Sequence, residues 1–154
     1  MDIDKMLKLG TLHIDAEDVP WVEVLPGISF RILHSRLEDD FYVTEQMSKP
    51  GAVSGLHRHF KPVFAWTTQG TWSHEFGDYY YKPGTYVYET ENVEHRFFGG
   101  PDIAKVFFVV HGGVEFMDLD TKQVTGSFTT QDVVTQYFQK CEEAGLKRPN
   151  VLTR

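Results

Sequence analysis

Between residues 28 and 128 the chain repeats one pattern: short runs rich in Val, Phe, Tyr, Trp and Thr, each cut by Gly, Pro or Asp. β-branched and aromatic side chains suit a pleated, half-buried surface, and the punctuating residues turn the chain. The segments 28–33, 41–47, 63–68, 71–76, 85–89, 96–98, 105–110, 114–119 and 123–128 all read as strands. Strands this short and this regularly spaced predict an all-β sandwich or barrel. Asp120-Thr121-Lys122 and Lys82-Pro83-Gly84 predict turns. The pattern then switches. Thr129-x-x-Asp132 reads as a capping box, Val133, Tyr137, Phe138 and Cys141 recur at helical spacing, and Gly145 closes the run. One helix of about 13 residues, packed on the outside of the β-structure, accounts for this. The expected organisation is an arm over 1–27, in which 21–25 offers an edge strand, a β-domain over 28–128, a helical segment over 129–146 and a loose tail over 147–154.

A chain of 154 residues is one ordinary domain and can bury a core without staples. Hydrophobic residues are 41% and charged residues 24%, a globular balance. The net charge of −7 argues against nucleic acid and against an anionic membrane surface, because both require a basic face. No stretch approaches the roughly 20 apolar residues of a membrane span, and Met1 to Gly10 has no signal-peptide core. Cys141 is the only cysteine, so no internal disulfide forms, and no Asn-x-Ser/Thr site is present. Both facts suit the cytoplasm. Cys141 reads as a buried thiol on the helix.

Seven histidines are present, and His57-Arg58-His59 is the informative group. Residues i and i+2 of a strand share a face, so two imidazoles can converge on one ion while Arg58 points away. The surroundings strengthen the reading. Gly51 stands five residues before His57-Arg58-His59, with Val63 and Gly70 following. Gly84, then Thr90-Glu91-Asn92, then His95 form a second group. These spacings resemble the two signature motifs of the cupin superfamily, over residues 51–99.

That resemblance implies a single-domain cupin (jelly-roll) barrel with one divalent metal held by His57, His59 and His95. The family commonly places a Glu ligand where this sequence has Val63, and Thr90, Asn92 and Gly99 depart from the second motif. Asn92 can still adopt the left-handed backbone that a Gly would supply. Three neutral imidazoles leave the ion its full +2 charge and open positions, which favours an anionic bidentate ligand. Imidazole suits Fe, Cu, Ni and Zn alike, so the histidines do not choose the metal.

Further segments narrow the resemblance: residues 19–27, 55–59 and 84–89, and Glu143-Ala144-Gly145-Leu146. They are similar to 2,4'-dihydroxyacetophenone dioxygenase and the related diketone-cleaving three-His cupins. The resemblance implies a non-haem Fe(II) dioxygenase that uses O2 to cut a C–C bond next to a carbonyl in a hydroxy-ketone or diketone. Zn, Mn, Ni or Cu stay open as alternatives. So do a non-oxidative isomerase, lyase or hydrolase, and a metal- or ligand-sensing module.

Strand alternation nominates Val63, Ala65 and Thr67 as pocket-lining, with Phe64 and Trp66 facing outward. Phe97 shares the parity of His95 and joins the pocket set. Thr85, Val87 and Glu89 form one face of their strand and Tyr86 and Tyr88 the other, with the inward face undecided. His111 and Arg31 are candidates for a proton-handling and an anion-steering role beside the metal. His13, His34 and His74 have no partners in sequence and are expected to be solvated. The outward aromatics and the arm predict a homodimer or homotetramer.

Overall fold

The period-2 runs pair into a jelly roll in the computed structural model, which describes residues 2–147, 149 and 151–153. The chain runs through α1 (Ile3–Leu9), a 3-10 turn (Ala16–Asp18), β1 (Val22–Leu25), β2 (Ile28–Arg36), β3 (Phe41–Ser48), β4 (Leu56–His59), β5 (Val63–Gln69), β6 (Trp72–Ser73), β7 (Tyr86–Glu89), β8 (Phe98–Gly99), β9 (Ala104–His111), β10 (Val114–Met117), β11 (Val124–Phe128) and α2 (Thr130–Glu143). Six strands form one antiparallel sheet in the order β1-β2-β3-β9-β5-β7. The β11-β10-β4 sheet lies across the interior from it, and β6 and β8 form a separate two-stranded pair.

Alternation sets the layers. Along β5, Val63, Ala65 and Thr67 are buried while Phe64 and Trp66 face out. On β7 the parity left undecided by the sequence is resolved: Val87 and Glu89 point in, and Tyr86 and Tyr88 point out. Gly70 ends β5 with a left-handed backbone (φ +66°), and a Cβ there would collide with the Ile103 carbonyl. That close approach explains the motif glycine physically. Inside, the fully buried Trp72 stacks on Phe97, with centroids 5.0 Å apart, and its indole N–H donates to Thr67 Oγ1 at 2.8 Å.

The helix forms where the capping signal predicted it. Thr129 and Asp132 make the reciprocal capping-box bonds, and Gly145 follows with φ +69°. The buried stripe is Thr130, Val134, Tyr137 and Cys141, with Val133 and Phe138 only partly buried. The Tyr137 hydroxyl donates to the Pro20 carbonyl at 2.7 Å, which ties the helix to the arm. Within the arm, β1 adds to the edge of the six-stranded sheet beside β2, as residues 21–25 offered.

Two expectations about elements change. The 71–76 and 96–98 runs shrink to the two-residue pair β6-β8, and His95 joins the β-structure by an isolated bridge to His57. The segment expected to be a loose tail docks. Leu152 exchanges backbone bonds with β2, donating to the Leu33 carbonyl at 3.1 Å and accepting from Ser35 at 2.8 Å, and Val151 is buried. Among the described residues no helix is long and apolar enough to cross a membrane.

Candidate metal centre

His57 and His59 stand two apart on β4, so both imidazoles face the interior, while Arg58 turns out to Glu115 on β10. His95 sits directly across from His57. The pair exchange two backbone hydrogen bonds, His57 N–H to His95 O at 3.0 Å and the reverse at 2.9 Å. This is the tightly coupled antiparallel pair, and it fixes the two side chains side by side. Asn92 bends the chain before it, with φ +60°, and donates its N–H to the His59 carbonyl at 2.7 Å. The three histidines thereby offer ligand nitrogens all within 4.8 Å of one another.

Each ring is prepared to accept a cation. The Gly55 carbonyl lies 2.8 Å from His57 Nδ1. A carbonyl can only accept, so Nδ1 carries the proton and Nε2 presents its lone pair. Burial lowers the His57 pKa, against the raising effect of that carbonyl. Burial also brings His59 down to about 4 and His95 to about 3, although Glu89 pulls both upward. All three rings are therefore neutral at pH 7, the form that binds metal. His95 Nε2 is buried with no hydrogen-bond partner among the described residues. Such an orphaned nitrogen is costly unless an ion satisfies it, so the donor set fits a divalent metal.

Two residues complete the site that the sequence reading left out. Glu89, on β7, lies with Oε2 3.5 Å from His95 Nε2 and 3.8 Å from His59 Nε2. His74, expected to be solvated, is half-buried and holds the other carboxylate oxygen, its Nε2 donating to Oε1 at 3.0 Å. Its Nδ1 meets the Tyr81 hydroxyl at 3.1 Å. Burial raises the Glu89 carboxyl, but the His74 bond and the charges available on His95 and His59 outweigh it and leave the pKa below the usual range. His74, Glu89 and His95 also lie close enough together to share an ion. The site is thus not a set of three bare imidazoles: an anionic carboxylate stands beside them, and the expectation of an uncompensated +2 charge is corrected.

The site floors a cavity of about 100 Å³, whose walls are apolar, with Phe97, Phe108 and Phe116 among them. A second cavity of about 400 Å³ opens beneath α2. The two share Leu25, Phe30, Tyr42, Val114 and Phe116. Phe97 lines the first cavity, whereas Val63, Ala65 and Thr67 face inward without lining it. Trp72 and Phe97 fill the interior at that end, with Thr67 spent on the Trp72 indole.

Arg31 does not reach the cavity. It is buried with Nε and Nη2 both on Oε2 of Glu45, at 2.7 and 2.6 Å, beneath the Trp21 ring and with Nη2 3.1 Å from Glu17. Its Nε and Nη2 are engaged by carboxylates of the protein, and Arg31 is not among the residues that line the cavity. His111 also lies away from the cavity. Its ring packs against Phe41 and Phe64, at 5.7 and 5.8 Å, toward the outward aromatic face.

Solved structures share this fold. An RmlC-like cupin from Ralstonia eutropha JMP134 is 21% identical, with a TM-score of 0.81 over 94% of each chain. An acetylacetone dioxygenase from Acinetobacter johnsonii is 18% identical, with a TM-score of 0.70 over 84% of this chain and 91% of that one. The polyketide cyclase RemF from Streptomyces resistomycificus is 20% identical, with a TM-score of 0.57 over 73% of this chain and 89% of that one. At these identities the likeness is one of fold. No curated relative matches the chain. Residues 10–115, well over half of the sequence, match the ChrR cupin-like domain, and the chain belongs to that cupin family.

Proposed function

We propose that this protein is a non-haem Fe(II) dioxygenase that cleaves a C–C bond next to a carbonyl in a hydroxy-ketone or diketone. The observation that carries this reading is the convergence of three neutral imidazoles on the floor of an apolar cavity that shares its wall with a larger apolar one. His57, His59 and His95 would hold the ion. A bound Fe(II) supplies Lewis acidity toward a chelating enolate and the one-electron chemistry that O2 requires. The protein's own part is to position and to dry the site. Phe97, Phe108 and Phe116 exclude water around the chelating head of the substrate. Leu25, Phe30 and Val114 lead its apolar or aryl arm toward the space beneath α2. The shared fold with an acetylacetone dioxygenase supports the same choice.

The test is metal analysis of protein purified anaerobically, followed by O2 uptake on adding aryl hydroxy-ketones and diketones. About one iron per chain and ketone-dependent uptake are expected. Zinc or manganese with turnover that persists without O2 would replace this reading by a non-oxidative isomerase, lyase or hydrolase. The fold shared with a polyketide cyclase supports that second reading.

The same proposal places the enzyme in the cytoplasm as a homodimer or homotetramer. Its support is the outward face of β5 and β7, where Phe64, Trp66, Tyr86 and Tyr88 are all exposed on the edge of the sheet. A patch of large aromatics is the kind of surface that a second copy covers. Trp66→Lys is expected to shift the sedimenting species toward monomer, and a wild-type monomer removes the proposal.

A further inference from the structure

Glu89 has no ordinary countercharge. It is a buried carboxylate whose only ion-pair partners among the described residues are histidines, and no Lys or Arg reaches it. A buried carboxylate ringed by imidazoles, with no Lys or Arg in reach, is a place that a cation completes. The ring nitrogens of His59 and His95 aim at its Oε2 from 3.8 and 3.5 Å, and His95 Nε2 has no hydrogen-bond partner. Metal–ligand bonds of about 2.0–2.2 Å put neighbouring ligand atoms about 2.8–3.6 Å apart in octahedral or tetrahedral shells. The 3.5 Å separation from His95 falls within those edges and the 3.8 Å separation from His59 just beyond them, and both are long for hydrogen bonds.

The strand register adds a second, independent argument. The motif carboxylate is missing at Val63, and Glu89 is the residue paired directly with Val63 across β5 and β7. Both side chains point inward. Cβ atoms of directly paired residues lie about 4.5–5.5 Å apart, a gap that one Glu side chain spans. A carboxylate lost from one strand can therefore be supplied to the same space from its neighbour.

We propose that Glu89 is a fourth protein ligand to the metal, carried on β7 in place of the carboxylate absent at Val63, with His74 as the residue that aims it. His74 binds Oε1, which leaves Oε2 directed at the imidazoles. Three neutral imidazoles and one carboxylate reduce a divalent ion to a net +1. A singly charged chelate, such as the enolate of a diketone or the alkoxide of a hydroxy-ketone, then neutralises it inside the apolar cavity. Dianionic chelates such as phosphates and dicarboxylates are disfavoured there. This inference rests on the proposed metal site and narrows its substrates to monoanionic chelates.

Cobalt(II) is the probe, because its visible d–d bands report coordination in the absence of turnover. Co(II) affinity is measured by chelator competition for the wild type, Glu89→Gln, Glu89→Ala, His74→Gln and Glu89→Ala/Val63→Glu. Glu89→Gln keeps the shape and an acceptor for His74, so its folding is secured. Glu89→Gln and Glu89→Ala are expected to weaken Co(II) by about 100-fold or more and to change the bands. Val63→Glu is expected to restore most of the loss and the wild-type spectrum, which a purely structural role for Glu89 would not allow. His74→Gln is expected to cost about tenfold with the wild-type bands retained, as second-sphere changes do. Wild-type binding of one Co(II) with affinity and bands unchanged in Glu89→Gln overturns the inference and leaves the three-histidine site standing. A wild type that binds no Co(II), Zn(II) or Fe(II) overturns both.

Discussion

At the residue scale, the same side-chain chemistry has opposite meanings in two buried places. Glu89 is paired with imidazoles alone, whereas Glu45 is paired with Arg31, and both members of that pair are under 5% exposed. Removing one partner of a buried pair leaves the other charge uncompensated and costs about 3–5 kcal/mol. Arg31→Ala is therefore expected to lower Tm by about 6–20 °C, at about 2–4 °C per kcal/mol for a chain of this size. Thermal unfolding followed by circular dichroism checks this. Metal content should stay that of the wild type, because Arg31 touches nothing in the cavity; a loss of metal would contradict its purely structural placement. Cys141 repeats the lesson more simply. It is a buried core residue whose thiol pKa is raised by burial, so it is an inert packing group, as its place in the helical stripe predicts.

At the element scale, short local signals act through tertiary anchors. The Thr129–Asp132 capping box satisfies the first turn of α2, and the adjacent Thr130 hydroxyl donates to Asp40 at 2.7 Å. Thr129→Ala removes one capping oxygen, a loss of about 1 kcal/mol. The expected result is a fall in Tm of about 2–4 °C with m-values unchanged in urea. A fall of 10 °C or more would mean that the cap also holds the helix over the apolar cavity. The β4 strand depends on its neighbours in the same way. Its four residues pair on one side with β10 and are bridged on the other by His95. The site is thus carried by a ladder, which holds its ligands more firmly than a loop would.

At the scale of the whole molecule, the metal site costs stability when empty. His59 and His95 have folded pKa values of about 4 and 3, against 6.5 for an unperturbed imidazole. Between those values the unfolded chain binds more protons than the folded one, so stability falls as pH falls through that window. The lowered Glu89 carboxyl acts in the same direction in its more acidic range. For two such histidines the loss from pH 7 to pH 5.5 is about 2.5 kcal/mol, or about 5–10 °C in Tm. Differential scanning calorimetry of the metal-free protein at the two pH values tests this. A Tm that is flat or rises toward pH 5.5 would show that the rings are already charged in the folded state.

The alternation of β-runs, the helix cap and the His-x-His pair are short-range patterns with a period set by backbone geometry, so they were legible in the sequence. From them came the all-β class, the terminal helix, the inward parity of β5 and the outward turn of Arg58. The motif spacings added His95 and the cupin resemblance, which the family match bears out. Cross-strand register was not legible, because it depends on which strands pair and on the bulges between them. That is why Glu89, silent until it is placed opposite Val63, and His74, which looked solitary, were missed. Burial of an ion pair is likewise a tertiary quantity, and it moved Arg31 from a candidate for the site into the core. The docking of Leu152 on β2 was decided by the free edge it found there, since nothing in the tail's composition encodes a distant strand. Sequence determined which residues could face inward; the pairing of strands decided which of those meet.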